Sequence, residues 1–460
     1  MWPAAMAMLA CLIYGCGGGA ESDRPNLVLV TIDTLRADHC SCYGYERQTT
    51  PYLDHLAESG VLFDAAYAPT AVTGPTHATL FTGLYPFVHG VVRNGLVADD
   101  TRPTLAEVLR AEGYVTAGFV SSYVVSGRFG FARGFDHFDD DFEGAEPTFY
   151  AREWEGEKIE GQFDRRAADT NARVLDWLAT TVRQKPFFLW VHYFDPHQPY
   201  VPPPPYDSKF LDRNDPAPKQ RDIARYDGEI LYTDTELQRL VAAVERAAPA
   251  DRTLLVVTSD HGEGLMDHGW PGHGPLLYEE DVRVPLLVRW PGRFRAGRVE
   301  RPVALLDLMP TLLELFDVPQ DEMFLQGRSL VPLLDGAQPG ADAPPVYVQR
   351  RAYESKQLSQ HAYATGDEQV SLEILGDKFA VRRGRWKYIE AREEATRELY
   401  DMELDPRERH DLSDERPQVV DELSRIIALW LTEQLDLATT LSQNISPEDL
   451  RRLRAIGYAP

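Results

Sequence analysis

The chain has 460 residues, a formal net charge of −25 and a hydrophobic fraction of 43%. This composition is that of a globular protein, with one large domain and an appendage or with two domains. The excess of acid argues against nucleic acid or an anionic membrane as a partner, because phosphate recognition needs a basic face. An anionic substrate would have to be attracted locally, by a metal ion, a helix end or a few His or Arg side chains.

Residues 1–14 are mostly small and apolar and are too short to span a bilayer. They are typical of a signal-peptide core, although a positively charged beginning is missing. The residues before Cys16 and the three glycines after it are similar to a lipobox with a flexible tether. We therefore expect export to the periplasm or cell surface, with a membrane tether if Cys16 is lipidated. Plain secretion with cleavage near Ala20 and a misplaced start codon are the alternatives.

Near-continuous apolar runs rich in β-branched residues predict buried strands of a parallel sheet. These runs cover residues 26–32, 114–120, 186–194, 252–259 and 283–290. Segments with helical apolar spacing separate them, at 51–59, 104–112, 165–181, 223–248 and 305–316. The alternation predicts an α/β domain over residues 24–335, with a mostly parallel mixed sheet flanked by helices.

The pattern changes after a linker at 336–345 that is rich in Pro, Gly and Ala. Shorter alternating strands within 373–390 and a helix at 418–435 predict a small α+β subdomain over residues 345–435. Residues 436–460 are predicted to form a helical tail, with one amphipathic helix at 445–458. The acidic and aromatic segment 139–162 has no clear period and is interpreted as an irregular insertion.

One loop-to-helix stretch, residues 67–90, carries a candidate nucleophile. Pro75 fits the first turn of a helix, so Thr73 is expected just ahead of the helix N-terminus. Unpaired N–H groups and the helix dipole favour bound anions there, and a hydroxyl can attack an anionic ester if its pKa is lowered. His77, one turn further on, is a second catalytic candidate. The simpler alternatives are a Thr cap and a structural histidine.

Ligands of open parallel sheets bind at the carboxyl ends of the strands. Three predicted strands deliver polar residues there, namely Asp33, Asp195 with His197, and Asp260 with His261. Aspartate together with histidine suits zinc or manganese better than calcium, because imidazole prefers the softer ion. A turn residue or a helix cap is the alternative interpretation of each aspartate.

Taken together, these residues predict a site that cleaves esters with the help of a metal. One divalent metal ion held by Asp33, Asp260, His261 and the Thr73 oxygen would activate the Thr73 hydroxyl. The site also needs groups that bind substrate oxygens or protonate the leaving oxygen. His197 and His273 are the candidates for that role.

The chain resembles the sulfatase family of the alkaline-phosphatase superfamily over nearly its whole length after the leader. The matching motifs are Arg24-Pro25-Asn26 through Asp33, Leu35-Arg36-Ala37-Asp38, Cys42-Tyr43-Gly44-Tyr45, Thr49-Thr50-Pro51, Thr82-Gly83-Leu84-Tyr85-Pro86, His89-Gly90, Gly134-Phe135-Asp136, Asp195-Pro196-His197, Thr258 through Glu263, Leu277-Tyr278-Glu279, Arg283-Val284-Pro285, Trp290-Pro291-Gly292, Glu398 through Asp401 and Asp405-Pro406. The resemblance implies an alkaline-phosphatase-like fold, an ester hydrolase, and metal ligands at Asp33, Asp260 and His261.

The departures from the family pattern concern the nucleophile, a metal ligand and the residues that bind sulfate. Sulfatases carry Cys-x-Pro-x-Arg, or Ser in the first place, whose first residue becomes formylglycine. The aligned residues here run from Thr73 to His77, and threonine is not a known substrate for that conversion, so no formylglycine is expected. Thr34 stands where many sulfatases have a second aspartate, and His273 aligns with a sulfate-binding lysine.

Other features resemble different branches of the superfamily. The Asp260-His261 pair, in place of Asp-Asn, resembles transition-metal members that cleave phosphate or phosphonate esters. Threonine nucleophiles occur in phosphodiesterases and in enzymes that transfer lipid phospho head groups. The small anionic ester is therefore expected to be a phosphoester somewhat more than a sulfate ester.

Three hypotheses follow from these observations. The first is a metal-dependent hydrolase of phosphate or sulfate esters with Thr73 as the direct nucleophile. The second is a sulfatase that works without formylglycine. The third is a non-catalytic binding protein of the cell envelope on a degenerate sulfatase fold. That hypothesis explains the departures but not the retention of Asp33, Asp260 and His261.

Overall fold

The protein is described here from a computed structural model. The described residues are 24–98, 100–145, 153–154, 157–158, 162–181, 185–212, 217–321, 323–337, 343–351, 357–361 and 369–441. The predicted leader with Cys16 and the helix predicted at 445–458 lie outside them, so export and lipidation stay predictions. None of the helices in this part of the chain is long and apolar enough to cross a membrane.

The strands, in chain order, share short lengths and, in the main sheet, mostly apolar sequences. They are β1 Asn26–Ile32, β2 Val61–Tyr67, β3 Val115–Val120, β4 His137–Asp139, β5 Glu153–Trp154, β6 Glu157–Lys158, β7 Phe187–Tyr193, β8 Thr253–Ser259, β9 Arg283–Arg289, β10 Gly297–Val299, β11 Val303–Ala304, β12 Val346–Arg350, β13 Gln357–His361, β14 Gln369–Glu373, β15 Lys378–Arg383, β16 Trp386–Ala391 and β17 Thr396–Asp401.

The α-helices α1 to α9 lie between strands in chain order, and α10 follows β17. They are α1 Pro51–Ala57, α2 Thr73–Thr82, α3 Pro86–His89, α4 Leu105–Ala111, α5 Ala167–Thr181, α6 Pro218–Ala247, α7 Glu279–Val282, α8 Leu308–Leu315, α9 Val331–Leu334 and α10 Pro417–Leu441. Helix α4 begins with a complete capping box, in which Thr104 and Glu107 satisfy each other's backbone N–H groups.

The main sheet has nine strands in the order β10-β2-β9-β8-β1-β7-β3-β4, and β11 also pairs with β2. The run from β8 to β4 is parallel throughout. Strand β9 is antiparallel to both of its neighbours. The predicted α/β class with a mostly parallel mixed sheet is therefore confirmed.

Helices cover both faces of this sheet, which explains why its central strands are apolar on both sides. On β1, Leu27 and Leu29 point into the core shared with α2, α4 and α8. The alternate residues Val28 and Val30 point into the core shared with α1, α5 and α6. All seven residues of β1 are buried.

The C-terminal subdomain is an antiparallel sheet in the order β12-β15-β16-β17, with α10 packed against it. Trp430 of α10 contacts the rings of Tyr85, which precedes α3, and Phe87, which lies in α3, and so joins the subdomain to the α/β domain. The predicted small α+β subdomain is confirmed as part of the fold class. Its predicted boundaries, 345–435, and the helical tail at 436–460 stay predictions, although α10 runs to Leu441.

Two local expectations differ from the structure. Strand β2 was not predicted, because its apolar run is interrupted where the pairing with β9 shifts register between Phe63 and Ala66. Thr73 is the first residue of α2 rather than the residue before it, since Val72 has the extended conformation of the N-cap. The hydroxyl of Thr73 nevertheless remains at the N-terminal end of the helix.

Candidate active site

The carboxyl ends of β1 and β8 bring three predicted metal ligands together. The ligand atoms of Asp33, Asp260 and His261 lie within 4.8 Å of one another, and all three residues are buried. Nε2 of His261 is 3.4 Å from Oδ2 of Asp260 and 3.8 Å from Oδ1 of Asp33. The sequence-based expectation that these side chains meet at one sheet edge agrees with this geometry.

Strand register explains the meeting of the two aspartates. Ile32 pairs with Ser259 at the end of the parallel β1–β8 ladder, so the next residues, Asp33 and Asp260, leave the sheet side by side. The turn after them depends on Gly262. A Cβ on this glycine would lie 1.8 Å from the backbone oxygen of Glu280.

The backbone around Asp260 orients its carboxylate. The N–H groups of Thr34 and His261 donate to Oδ1 of Asp260 at 3.3 and 2.9 Å. Thr34 adopts a left-handed φ of 54°, which is unusual for a β-branched residue and directs its N–H towards Asp260. The other oxygen of Asp260, Oδ2, is left facing the cluster.

The cluster has the properties of a cation site. Oδ2 of Asp260 and both oxygens of Asp33 are buried and have no hydrogen-bond partner among the described residues. Burial raises the pKa of Asp260 to about 6. Burial, followed by the charges of Asp260 and Glu263, raises the pKa of Asp33 well above its usual range. Unpaired buried carboxylates are costly, and a cation removes that cost, so the residues present fit a divalent metal ion.

Thr73 reaches the same cluster from the start of α2. Its Oγ1 is 3.1 Å from Nε2 of His261, and its side chain is buried. The other ring nitrogen of His261, Nδ1, lies 2.9 Å from the carbonyl oxygen of Gly262. A carbonyl only accepts, so Nδ1 carries the proton and the Thr73 hydroxyl donates to Nε2. Nucleophile candidate and metal-ligand candidate are thus in direct contact.

His77 contacts the nucleophile's backbone rather than the open side of the site. Its Nδ1 donates to the carbonyl oxygen of Thr73 at 2.9 Å, and its Nε2 lies 3.0 Å from Oγ1 of Thr31. Trp190 also donates to that Thr31 oxygen, at 3.1 Å. Burial lowers the pKa of His77. Both ring nitrogens are therefore occupied, and the contacts are those of a residue that holds the first turn of α2.

His197 and His273 lie together on the partly exposed side of the site. Their Nε2 atoms are 3.2 Å apart, and the ring of His273 lies 4.2 Å from that of His261, measured between centroids. The Phe194 ring stacks on His197. Asp195, in contrast, does not join the cluster, because its Oδ2 accepts from the backbone N–H of Ala167 at the start of α5.

Sequence reasoning missed His192, the sixth residue of β7. It is fully buried, and its Nε2 lies 3.6 Å from Oδ2 of Asp33. Neither ring nitrogen has a hydrogen-bond partner among the described residues. The available signal was its position two residues after Trp190, on the face of β7 that meets α2. A single histidine in an apolar strand is otherwise indistinguishable from a core residue.

Fold and site together define an ester hydrolase of the alkaline-phosphatase-like α/β type. The model of the sulfatase family matches residues 25–318. A second model, described as the C-terminal part of N-sulphoglucosamine sulphohydrolase, matches residues 266–433. The chain belongs to the sulfatase family, and the predicted family and enzyme class are confirmed.

Curated relatives and solved structures agree with this assignment. Human arylsulfatase A is 29% identical, covering 71% of this chain and 70% of that protein. An N-acetylglucosamine-6-O-sulfatase of Bacteroides thetaiotaomicron is 24% identical, covering 85% of this chain and 83% of that protein. The phosphonate monoester hydrolase of Agrobacterium radiobacter shares the fold, with a TM-score of 0.70 and 23% identity over 91% of this chain and 96% of that one.

Proposed function

We propose that the protein is a metal-dependent hydrolase of phosphate or sulfate esters in which Thr73 is the nucleophile. The observation that carries the proposal is the 3.1 Å contact between Oγ1 of Thr73 and Nε2 of His261, at the start of a helix. Asp33, Asp260, His261 and the Thr73 oxygen would hold one divalent metal ion. This donor set of oxygens and one imidazole favours zinc or manganese over calcium.

A divalent ion bound there supplies Lewis acidity, which lowers the pKa of a nearby hydroxyl and polarises ester oxygens. The residues of the chain contribute by holding the Thr73 hydroxyl in position. His77 holds the carbonyl of Thr73 at 2.9 Å, so the hydroxyl keeps its direction towards the cluster. The N-terminal end of α2 carries a partial positive charge that stabilises anionic substrate oxygens.

The reaction proceeds in two displacements. The Thr73 hydroxyl gives its proton to solvent, its Oγ forms a bond to phosphorus or sulfur, and the bond to the leaving oxygen breaks. The leaving oxygen takes up a proton from water. A water molecule then attacks the threonine ester, releasing phosphate or sulfate and restoring the hydroxyl.

The substrate is a small anionic ester. The N-acetylglucosamine-6-O-sulfatase named above supports this class, as does a structural relative solved with its substrate D-glucosamine-2-N,6-O-disulfate. Threonine at the nucleophile position supports a phosphoester over a sulfate ester here, since formylglycine is not expected to form from it. Export to the periplasm or cell surface is part of the proposal and rests on the composition of residues 1–22.

The test measures metal content and turnover in the same preparation of residues 23–460. Metals are determined by mass spectrometry. Aryl phosphate monoesters and diesters, an aryl phosphonate monoester and an aryl sulfate are then assayed with and without manganese or zinc. Intact-mass measurement after rapid quenching detects a phosphoryl or sulfuryl group on the protein.

Thr73→Val keeps the shape of the side chain and removes the oxygen, and Thr432→Val on α10 is the matched control. We expect Thr73→Val to lower kcat/KM by at least about a thousandfold and to abolish the mass increase, with the control unchanged. An unaffected rate in Thr73→Val would sink the proposal. A protein with neither metal nor turnover would be the non-catalytic binding protein instead.

A further inference from the structure

A cavity of about 570 Å³ lies where the C-terminal subdomain meets the α/β domain. Volumes of about 300–1,000 Å³ are typical of sites for small organic molecules. The cavity shares no lining residue with the catalytic cluster described above. Tyr85 lines it just beyond the end of α2, and α2 extends roughly 15 Å from Thr73 at its first residue to Thr82 at its last. The cavity is therefore a separate place in the fold.

Aromatic rings pack together on one side of this cavity. Tyr347 of β12 and Trp430 of α10 stack with their centroids 4.6 Å apart and their planes 6° from parallel. Tyr85 meets the Trp430 ring edge-on, at 5.1 Å between centroids. Phe324, which also lines the cavity, is an exposed large apolar side chain. These residues offer the flat apolar surface on which a ring-shaped ligand can lie.

Several side chains at the cavity carry hydrogen-bond donors that lack an acceptor. Nε of Arg301 and Nε1 of Trp430 are buried atoms without a partner among the described residues, and Trp430 is only 4% exposed. Arg328 uses its backbone N–H on Asp307, but within the described part of the chain its guanidinium group has no partner. Buried donors are costly when nothing accepts from them, so these groups indicate a ligand rich in acceptors.

A third buried donor comes from a chain of two amides. The backbone N–H of Tyr85 donates to Oε1 of Gln326 at 2.8 Å. Nε2 of Gln326 must then face away, and it donates to Oε1 of Gln434 at 2.6 Å. Both amides are thereby fixed in orientation. The NH₂ group of Gln434, a buried residue, is left without an acceptor among the residues that the structure describes.

The acids at the cavity do not occupy these donors. Asp307 is close enough to Arg301 and Arg328 to interact with their charges, but its oxygens accept the backbone N–H groups of Arg328 and Ala304 at 2.8 and 3.0 Å. Glu433 of α10 is exposed and forms an ion pair with neither arginine. A guanidinium group presents planar donors that match a carboxylate or a sulfate. The donors of the cavity therefore favour an anion.

We propose that this cavity binds a ring-shaped organic anion, namely a sugar acid or an aromatic acid that carries a carboxylate or sulfate group. The anionic group binds Arg301 and Arg328. The ring lies against Tyr347 and Trp430, and its remaining oxygens accept from Trp430 and Gln434. Binding is non-covalent, and it does not depend on the proposed function, because the two sites have no residue in common.

The experiment titrates the protein of residues 23–460 with glucuronate, benzoate and inorganic sulfate. Isothermal titration calorimetry measures the affinity, and ligand-observed NMR extends the range to weak binding. The cavity variant is Arg301→Gln with Arg328→Gln. Its matched control is Arg239→Gln with Arg397→Gln, which changes the net charge equally at side chains that are 51% and 59% exposed.

We expect glucuronate, benzoate or both to bind the unchanged protein and the control with the same affinity. The cavity variant should bind at least about thirtyfold more weakly, because two charged donors are lost. Binding of glucuronate alone identifies a sugar acid, and binding of benzoate alone identifies an aromatic acid. Inorganic sulfate has no ring and should bind at least about tenfold more weakly. Equal affinity for sulfate, or no binding of either acid, would overturn the proposal.

Two single variants that preserve shape separate ligand binding from an effect on the fold. Trp430→Phe keeps an aromatic ring beside Tyr347 and removes the N–H, so binding should weaken about two- to tenfold. Glu433→Gln removes an acidic charge from the cavity and should strengthen binding about two- to fivefold. Unchanged binding in the first variant or weaker binding in the second would contradict the proposal. Thermal unfolding shows whether each variant is folded.

A last variant distinguishes this cavity from the catalytic site. Asp33→Asn with Asp260→Asn alters the metal-ligand cluster and should leave the affinity for glucuronate or benzoate unchanged. Loss of binding in that variant would place the anion in the catalytic site and overturn the proposal. Full turnover in Thr73→Val together with intact binding at the cavity would refute the proposed function alone.

Discussion

Oγ1 of Thr73 and Nε2 of His261 are 3.1 Å apart, although 188 residues separate them in the chain. One belongs to the start of α2 and the other follows β8, so the contact joins the helix layer to the sheet edge. The candidate nucleophile and a candidate metal ligand therefore contact each other in one site. A substitution that moves the first turn of α2 is therefore expected to displace the Thr73 hydroxyl from the metal-ligand cluster.

His77 is expected to act as a positioning residue. His77→Ala removes the hydrogen bonds to the Thr73 carbonyl and to Thr31, so the first turn of α2 loses its anchor. We expect kcat to fall about ten- to a hundredfold with little change in KM, and zinc content to stay the same. His77→Asn keeps a donor near Nδ1 and should recover part of kcat. An equal decrease of kcat in the alanine and asparagine variants would contradict this role.

His192 is expected to strengthen metal binding through Asp33. Its Nε2 lies 3.6 Å from Oδ2 of Asp33 and has no other partner among the described residues. His192→Ala should weaken zinc binding about ten- to a hundredfold, the usual effect of losing a group that orients a ligand. Competition with a chromophoric chelator measures the affinity, and the exposed His55→Ala is the control. Identical affinities would assign His192 to the core alone.

The titration of Asp234 is expected to make the protein less stable as the pH rises. This buried carboxylate accepts the N–H groups of Tyr52 and Leu53 at the start of α1, at 2.7 and 2.9 Å. Burial raises its pKa from 3.8 to about 7. A raised folded-state pKa stabilises the protein fully below about 3.8, and the contribution is lost as pH rises through about 7.

Asp234→Asn removes that titration. Its unfolding temperature should therefore drop less between pH 5 and pH 8 than that of the unchanged protein, whatever constant offset the variant has. The exposed Asp176→Asn serves as the comparison. Parallel pH profiles for Asp234→Asn and the unchanged protein would rule out the assignment.

Lys387 is expected to hold the C-terminal subdomain to the main sheet. Its buried ammonium lies 3.0 Å from Oε1 of Glu279 on α7 and 2.8 Å from Oε1 of Glu408. Lys387→Met leaves both carboxylates without their cation, which costs about 3–5 kcal/mol of unfolding free energy. Urea unfolding measures the loss, with the exposed Lys209→Met as control. A loss below about 1 kcal/mol would mean that the ion pairs contribute little net stability.

The sequence predicts the positions that regular geometry determines. Strands buried on both faces have continuous apolar runs, and parallel strands end at one edge, which is why Asp33, Asp260 and His261 could be grouped in advance. Strand β2 was not predicted, because its apolar run is interrupted where its pairing with β9 shifts register. Asp195 follows a strand in the same way as Asp33, yet a backbone N–H of α5 takes up its oxygen.

Side-chain contacts that cross the fold could not be predicted. Nothing in the sequence fixes which ring nitrogen of His273 carries a proton, because the deciding carbonyl belongs to Ala71, 202 residues away in the chain. The contact of His77 with Thr31 on β1 also crosses the fold, whereas its contact with the Thr73 carbonyl lies within its own helix. Residue type identifies the chemistry, whereas orientation decides between a catalytic and a positioning role.

The central place of β1 determines when this protein can become functional during its synthesis. β1 lies near the start of the sequence, at Asn26–Ile32, but its neighbours are β7 and β8, and the contact between Thr34 and Asp260 spans 226 residues. Strand β7 is complete at Tyr193 and β8 only at Ser259, so one edge of the apolar β1 stays unpaired until more than half of the chain exists. That exposed edge makes β1 a target for chaperones and a hazard for aggregation. Metal uptake is therefore expected to be a late event, and it would report that the sheet has closed.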